Sequence, residues 1–220
     1  MKRHCAKSHA GAQCVLPDPR PKVVSSSPPT PRRRLLRAAA AAALLGSRRF
    51  AVAQPLLATP ACAPGGAPTD AQTAGPYFKP SSPERSSLLE PGLAGERLVL
   101  SGRVLATDCS PVARALLDVW QADADGAYDN RGFRLRGHLF TDADGRYRLE
   151  TIVPGLYPGR TRHIHVKLQP PGGRVLTTQL YFPDEALNRR DGLFEPSLLV
   201  ALKREAGIAR AAFDFVLRGA

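Results

Sequence analysis

The sequence predicts an all-β protein, a β-sandwich of mixed or antiparallel strands with little helix. Short stretches show apolar and polar side chains in alternation, which is the period of two that a half-buried strand produces. Glycine, proline and Asp-Gly pairs separate these stretches at a spacing typical of a sandwich. Only residues 184–191 suggest a helix, of one or two turns.

Six stretches carry this strand pattern. In the first, Leu98, Leu100 and Val104 alternate with polar side chains. In the fourth, the histidines share one face while apolar residues take the other face, which we expect to lie on a core. The last places apolar side chains at every second position. The six stretches are residues 97–104, 116–121, 146–150, 163–169, 175–182 and 211–217.

The chain has 220 residues and a formal net charge of +12, but this charge is concentrated at one end. Residues 1–53 hold eleven basic side chains and one acidic side chain, and the remaining residues hold 20 and 18. No basic stripe interleaved with aromatic residues occurs in the sequence after residue 53. The composition therefore gives no indication of nucleic-acid binding.

Residues 1–53 have the composition of a polar leader followed by an export signal. Residues 1–31 are rich in Pro, Ser, Lys and Arg and are predicted to be disordered. A basic stretch that contains Arg32 and Arg33 precedes an alanine-rich run, and a small-x-small site ends at Ala53. This order is typical of a signal peptide, and the arginine pair followed closely by two leucines resembles a twin-arginine export signal, so we expect cleavage after Ala53 and a periplasmic or extracytoplasmic product. The apolar run is too short for a stable membrane span.

Two features leave this interpretation open. Arg48 and Arg49 lie inside the region, so a basic linker beside an alanine-rich helix is the alternative. The length of the leader also leaves the true translation start undecided.

The rest of the chain divides into an arm and a domain. Residues 54–95 begin with a segment rich in Pro and Gly, which predicts an extended N-terminal arm, and residues 96–220 form the predicted β-sandwich. Two cysteines, Cys62 and Cys109, remain after the predicted cleavage. They form either one disulfide, in an oxidising compartment, or two ordinary thiols.

Residues 154–166 concentrate side chains that can bind a metal. His163 and His165 lie on one face if this stretch is a strand, and two neutral imidazoles so spaced suit iron, copper or zinc. Tyr157 lies six residues before His163, and a second tyrosine close to glycine, Tyr128, lies on an earlier segment. The alternative is a strand whose polar face carries two histidines without a metal.

Other catalytic and metal-binding patterns fit less well. The Asp-x-Asp-Gly segments at 123–126 and 142–145 lack the ligand spacing and closing glutamate of a calcium loop, so both predict turns. The sequence has no G-x-S-x-G motif of a serine hydrolase. A cupin site would need a glutamate where Gln169 stands and a further histidine after His165.

Four segments, in this order, resemble the intradiol ring-cleavage dioxygenases, which are non-haem iron(III) enzymes that open catechol rings between the two hydroxyls. They are W-Q-A-D-A-D-G-A-Y-D-N at 120–130, P-G-L-Y-P at 154–158, R-T-R-H-I-H-V at 160–166 and T-T-Q-L-Y-F at 177–182. A fifth segment, T-A-G-P-Y at 73–77, resembles the N-terminal arm of the protocatechuate 3,4-dioxygenases. The resemblance covers residues 73–196.

The resemblance implies an iron(III) site with one ion per chain. The implied ligands are two tyrosines and two histidines, Tyr128, Tyr157, His163 and His165. Of these, Tyr128 would stay bound, and Tyr157 would leave when the substrate binds. Two further residues, Arg160 and Gln179, match active-site residues of the family. The implied pocket lining is Thr73, Gly75, Pro76 and Tyr77.

The chemistry of these residue types fits that family. Phenol ionises near pH 10, so a tyrosine ligand needs a strongly Lewis-acidic cation to bind as tyrosinate, and a hard phenolate oxygen favours iron(III). A catechol and O₂ would be the substrates, a muconate-type diacid the product, and Arg160 would stabilise negative charge on the ring. Only residues 158–162 separate Tyr157 from His163, a shorter loop than in the protocatechuate enzymes, which leaves the choice of catechol undecided.

Two other classes remain open from the residues alone. One is a non-catalytic, extracytoplasmic β-sandwich binding module, in which Tyr128 and Tyr157 are core or ligand-stacking residues. The other is a zinc enzyme with three histidine ligands, His138, His163 and His165. The sequence leaves the oligomeric state open, a homo-oligomer included.

Overall fold

The structure, a computed structural model, describes residues 62–219 and shows nine strands in this range, arranged in two sheets. The strands are β1 (Arg97–Ala106), β2 (Leu116–Trp120), β3 (Arg136–Phe140), β4 (Arg146–Ile152), β5 (His163–Gln169), β6 (Leu176–Tyr181), β7 (Ala201–Glu205), β8 (Ile208–Ala212) and β9 (Phe215–Leu217). Two short 3-10 helices, Ala186–Arg189 and Pro196–Leu198, lie between β6 and β7. Within 62–219, no helix is long and apolar enough to cross a membrane.

The first sheet has four strands in the order β3-β2-β5-β6, each antiparallel to its neighbour. Strand β5 is therefore central, with β2 on one side and β6 on the other. The register sets Trp120 of β2 and Gln179 of β6 opposite His165 of β5. Because residues opposite one another point to the same face of a sheet, these three side chains share the face that carries the candidate site.

The second sheet has the order β4-β1-β8-β7, and β9 pairs with the end of β1 beyond β8. Strand β1 is antiparallel to β4 but parallel to β8 and β9. The mixed sheet that the sequence predicts as one option is thus present in this half of the sandwich.

The core lies between the two sheets and is formed by the alternate residues of their facing strands. Ile164, Val166 and Leu168 of β5 are almost fully buried in it, and they meet residues such as Leu100 and Leu149 of the second sheet in one hydrophobic cluster. Each such side chain stabilises the fold by about 1.5–3 kcal/mol relative to an exposed one. Since these residues alternate with the histidines, burial of one face fixes the direction of the other.

The predicted all-β sandwich is confirmed, and five of the six strand stretches match strands. The prediction of one strand over 211–217 is wrong, because β8 ends at Ala212 and β9 begins at Phe215. At this break the Phe213 carbonyl approaches β1 so closely that a Cβ on Gly102 would lie 1.8 Å from its oxygen. The Phe213 oxygen instead accepts a hydrogen bond from the Tyr147 hydroxyl at 2.7 Å.

Strands β3 and β7 are not predicted by the sequence pattern. In β3 both Arg136 and Gly137 are buried, so the stretch does not alternate, and β7 has no fully buried residue. The expected helical turn within 184–191 is present as the 3-10 helix Ala186–Arg189.

The described part of the arm, 62–95, contains no helix and no named strand, only isolated bridges to the sandwich. It is not peripheral, since Leu88 is fully buried in the core. A disulfide joins Cys62 to Cys109, three residues beyond the end of β1, so the structure shows the disulfide alternative rather than two thiols. The leader and the predicted signal peptide lie outside the described residues.

Candidate metal centre

The two histidines of β5 bring their Nε2 atoms together. The Nε2 atoms of His163 and His165 lie 3.2 Å apart, and both residues are at least 95% buried. The His163 Nδ1 lies 2.6 Å from the Thr161 carbonyl, which can only accept, so Nδ1 carries the proton. The Nε2 of His163 therefore presents a lone pair towards its neighbour, as a metal ligand does.

Burial keeps both imidazoles neutral. It is the main cause that lowers the pKa of His163 to about 4 and the pKa of His165 to about 2. The positive charge of Arg160 lowers both values further. Neutral imidazole is the form that coordinates metals, so the site holds its two nitrogen donors in the binding form across the neutral pH range.

Aromatic packing and the arm fix the orientation of the His165 ring. The Trp120 indole stacks on it with 4.8 Å between centroids and an interplanar angle of 3°. On the arm, Gly75 has φ +65°, and a Cβ there would lie 3.4 Å from His165 Cε1. The backbone of the arm therefore lies directly against the imidazole, an approach that glycine permits.

The Tyr128 hydroxyl lies close to one histidine of the pair, His163. It lies 3.2 Å from His163 Nε2, on the loop that follows the turn at 123–126. Burial raises the pKa of the Tyr128 phenol well above its ordinary value. The protein alone thus keeps this phenol protonated, and its binding as tyrosinate would require a nearby cation.

Tyr157 lies on the loop between β4 and β5, which packs on the Tyr128 loop through two glycines. A Cβ on Gly126 would lie 2.1 Å from the Leu156 oxygen, and a Cβ on Gly155 would lie 2.4 Å from the Ala124 oxygen. Neither position has room for a side chain, so both loops require glycine here. The close approach sets the Tyr157 and Tyr128 rings edge to face, 5.9 Å apart.

Tyr77 of the arm connects the two other tyrosines. Its ring stacks on Tyr128 with 4.4 Å between centroids, and its hydroxyl lies 2.9 Å from the Tyr157 hydroxyl. The structure therefore brings together three of the four predicted ligands, Tyr128, His163 and His165, and places Tyr157 beside them with its hydroxyl bonded to Tyr77.

The other predicted pocket residues of the arm contribute backbone rather than side chains. The Thr73 carbonyl accepts a hydrogen bond from Gln179 Nε2 at 2.9 Å, and Gly75 packs on the His165 ring. The side chains of Thr73 and Pro76 are exposed.

Arg160 and Gln179 form a hydrogen bond with each other at the edge of the site. Arg160 Nη2 donates to Gln179 Oε1 at 2.7 Å, and Arg160 Nε donates to Asp191 Oδ2 at 2.8 Å. Gln179 is fully buried and stands opposite His165 in the sheet. Both predicted residues thus lie beside the histidine pair.

Sequence reasoning assigned no role to several residues that shape this site. Trp120 stacks on His165, Asp191 holds Arg160, and the buried Arg136 donates to the carbonyls of Tyr77 and Asp129. The role of Trp120 could have been predicted, because a tryptophan on a strand beside the histidine strand can stack on an imidazole. The contacts of Arg136 and Asp191 depend on loops whose path the sequence does not reveal.

The other candidate sites are absent or lie elsewhere. The segments at 123–126 and 142–145 are turns in which Asp123 and Asp142 accept backbone N–H groups, as predicted. His138 bonds to Ser82 through Nδ1, and residues 62–219 contain no cluster of three His, Cys, Asp or Glu able to hold a metal. The described residues therefore give no support to the three-histidine zinc interpretation.

The residues present fit a metal ion bound by nitrogen and phenol oxygen. Two ligands at about 2.1 Å from one ion and at roughly a right angle stand about 3 Å apart. The 3.2 Å separations from His163 Nε2 to His165 Nε2 and to the Tyr128 hydroxyl agree with that spacing. Such a mixed nitrogen and oxygen donor set suits iron.

Comparison with known proteins identifies the family of this chain. A family model described as Dioxygenase matches residues 73–219, a range that includes every predicted site residue. The chain belongs to the intradiol ring-cleavage dioxygenase family.

Two relatives in this family are similar to the chain over most of the described residues. The chain is 38% identical to the protocatechuate 3,4-dioxygenase beta chain of Burkholderia cepacia, over 57% of this chain and 66% of that protein. It is 32% identical to the hydroxyquinol 1,2-dioxygenase of Nocardioides simplex, over 62% of this chain and 56% of that one. These alignments thus cover less than two thirds of the length of either relative.

A solved structure covers the family fold more completely. The dioxygenase domain of a dioxygenase and carbohydrate-binding protein fusion from the cellulolytic bacterium Streptomyces sp. SirexAA-E is 56% identical, with a TM-score of 0.69. The match covers 70% of this chain and all of that domain.

Proposed function

We propose that this protein is an iron(III) intradiol dioxygenase that uses O₂ to open a catechol-type ring, with one iron per chain. In this reaction the bond between the two hydroxyl-bearing carbons breaks, and each carbon receives one oxygen atom of O₂. The product is a muconate-type diacid. The substrate supplies all four electrons, so the balance needs no further reductant.

One observation carries the proposal. His163 Nε2 lies 3.2 Å from both His165 Nε2 and the Tyr128 hydroxyl, inside a segment that matches the dioxygenase family. A non-catalytic binding module would have no reason to bury two neutral imidazoles and a phenol with their donor atoms converging.

The proposed ligands are Tyr128, Tyr157, His163 and His165. Bound iron(III) would supply Lewis acidity and make a coordinated catechol reactive towards O₂. The chain supplies the fixed donors and the geometry. Tyr77 stacks on Tyr128, and Trp120 stacks on His165.

Tyr157 and Tyr77 handle a proton of the substrate. The Tyr157 oxygen is the proposed acceptor of one catechol proton, because this tyrosine lies on a loop and is only partly buried. The Tyr77 hydroxyl, 2.9 Å away, donates to that oxygen while it carries negative charge.

Arg160 provides the positive charge of the site. Its guanidinium is held on two sides, by Asp191 at Nε and by Gln179 at Nη2, so it does not need to reorganise when charge develops on the ring. Gln179 Nε2 also donates to the Thr73 carbonyl, which holds the arm against the His165 ring.

Metal analysis and oxygen uptake test the proposal. Purified protein should contain about one iron per chain, should be red-brown, and should consume O₂ with at least one of catechol, protocatechuate and hydroxyquinol. Colourless protein that stays iron-free and inactive after reconstitution with iron(III) would contradict it.

We further propose that the protein is exported through a twin-arginine route. The Cys62–Cys109 disulfide supports this, because disulfides persist in oxidising compartments such as the periplasm. Replacing Arg32 and Arg33 by lysine should retain active enzyme in the cytoplasm. N-terminal sequencing that finds residues 1–53 still attached to the native protein would refute the proposal.

A further inference from the structure

We propose that Asp191 is a positioning residue that fixes both the catalytic arginine, Arg160, and the histidine ligand, His163, with one carboxylate. The inference rests on the proposed function, since it assigns Asp191 a part in the same reaction. Asp191 lies on the loop after the 3-10 helix Ala186–Arg189, 28 positions beyond His163, and no feature of the sequence marks it.

The carboxylate of Asp191 is buried, and both of its oxygens accept hydrogen bonds. Its Oδ2 accepts from Arg160 Nε at 2.8 Å and from the Thr161 backbone N–H at 2.9 Å, and its Oδ1 accepts from the Leu193 N–H at 2.9 Å. Only 3% of the Asp191 side chain is exposed, against 17% of the Arg160 side chain. Such a shared acceptor fixes two consecutive residues, Arg160 and Thr161, at one point.

Each of these two residues leads to the reaction centre by one more hydrogen bond. Arg160 continues through Nη2 to Gln179 Oε1 at 2.7 Å. Thr161 continues through its carbonyl, which accepts the His163 Nδ1 proton at 2.6 Å and so sets the direction of Nε2. A displacement of Asp191 would therefore move the guanidinium and relax the imidazole.

The negative charge matters as well as the shape. Burial alone would raise the pKa of Asp191, but the bonds from Leu193, Thr161 and Arg160 outweigh it and lower the pKa. The group is ionised at neutral pH, so its bond to Arg160 is charge-assisted and short. An amide in its place could satisfy one donor but would present an N–H₂ group to another.

A second ion pair in the same loop provides a matched control. Glu185 Oε1 accepts from Arg162 Nε at 2.5 Å, and both side chains are a little over one fifth exposed. This pair joins the same two segments as Arg160 and Asp191. The Glu185 carboxylate binds Arg162 rather than Arg160 or Thr161. Loss of this ion pair therefore weakens the contact between the two loops without removing the hydrogen bonds that Asp191 makes.

The experiment measures kcat, KM and iron release for Asp191→Asn, Glu185→Gln, Arg160→Met and the double variant Asp191→Asn/Arg160→Met. Misplacement by about 1 Å can cost roughly 10²-fold in rate, so Asp191→Asn should lose about that factor in kcat while KM changes by less than about threefold. In the Arg160→Met background the same change should lower kcat by a clearly smaller factor than in wild type, because the arginine is gone and only the route through Thr161 to His163 remains. A chelator should remove iron faster from Asp191→Asn than from wild type, and Glu185→Gln should match wild type in all three quantities.

Two results would overturn the positioning role. One is an Asp191→Asn enzyme whose kcat equals that of Glu185→Gln, and the other is a loss of kcat in the double variant that equals the product of the two single losses. Where Asp191→Asn does not fold, Asp191→Glu takes its place, since it keeps the charge, displaces the acceptor by one methylene and should show the same loss. A wild-type protein without iron or ring cleavage refutes the proposed function itself, which separates the two failures.

Discussion

The proposed ligands come from two contrasting regions, a central strand and a pair of loops. His163 and His165 lie on β5, flanked by hydrogen-bonded strands on both sides, and both are buried. Tyr128 and Tyr157 lie on loops, both partly buried, and depend on contacts between those loops and the arm.

The difference indicates which ligands are fixed and which can move. A residue in the middle of a sheet can shift only if several ladder hydrogen bonds change, whereas a loop tyrosine can turn about its own side-chain bonds. Tyr157 already has a second partner for its oxygen, the Tyr77 hydroxyl at 2.9 Å. We therefore expect the histidines to control retention of the metal and Tyr157 to control the chemical step.

The largest expected effect comes from the strand. His165→Ala should lose iron completely and, with it, all oxygen uptake, because it removes a buried nitrogen donor that no neighbouring side chain can replace. His138→Ala, on the next strand but one of the same sheet, should retain about one iron per chain and is the matched control. Equal iron content in both variants, measured by elemental analysis, would show that the histidine pair does not hold the metal.

The second prediction separates the two loop tyrosines. Tyr128→Phe should lose both iron and turnover, because its oxygen lies in contact with His163 Nε2. Tyr157→Phe should keep more iron than Tyr128→Phe yet lose most of kcat, since the proposed proton acceptor is missing. Iron content and oxygen uptake of both variants measure this, and two fully active variants would remove both tyrosines from the ligand set.

The positions of the two ligands on the strand, His163 and His165, could be predicted from the sequence. The alternation of His163 and His165 with Ile164 and Val166 is a local pattern, and burial of the apolar face fixes where the histidines point. The resemblance to a known family supplied the roles of Tyr128, Arg160 and Gln179, whose proximity to the pair depends on the tertiary fold. Alternation alone could not have brought residues from four elements together.

The contacts that the loops and the arm make around the site could not be predicted from a local pattern. The stacking of Tyr77 on Tyr128 requires the arm to cross the site, and the Arg160–Asp191 pair requires the loop after β6 to fold back on β5. The break after Ala212 arises from the approach of Phe213 to Gly102 on another strand. All three are contacts between segments far apart in the chain, which carry no periodic signal.

A smaller effect should come from the arm where it touches the histidine. Gly75→Ala places a methyl group 3.4 Å from His165 Cε1 at a backbone φ of +65°, and Gly92→Ala adds the same strain at +76° with open space around it. Each variant should lose about 1–2 kcal/mol of stability. Only Gly75→Ala should also raise KM for the catechol, by several-fold, because its methyl group occupies space over the His165 imidazole. Melting curves and steady-state kinetics of the pair decide this, and an equal KM in both would mean that the arm does not border the substrate.

The smallest effect should come from Asp129, which orders the loop directly after Tyr128. Hydrogen bonds from the backbone N–H groups of Gly132, Arg134 and Arg131 lower its pKa to about 2. A carboxyl with a lowered folded pKa stabilises the fold above its unfolded pKa of about 4, and this contribution fades as the pH falls through the folded value. Because Asp129 lies at the surface and is only partly buried, screening limits the contribution to less than about 1 kcal/mol. Asp129→Asn should therefore be slightly less stable than wild type at pH 7, with a gap that narrows below pH 4. Urea denaturation between pH 7 and pH 3 measures the gap, and a gap that widens on acidification would contradict the assignment. The loop that Asp129 orders carries Tyr128 but neither of the histidine ligands. The Asp129→Asn variant should therefore release iron to a chelator only slightly faster than wild type at pH 7, because His163 and His165 still hold the metal.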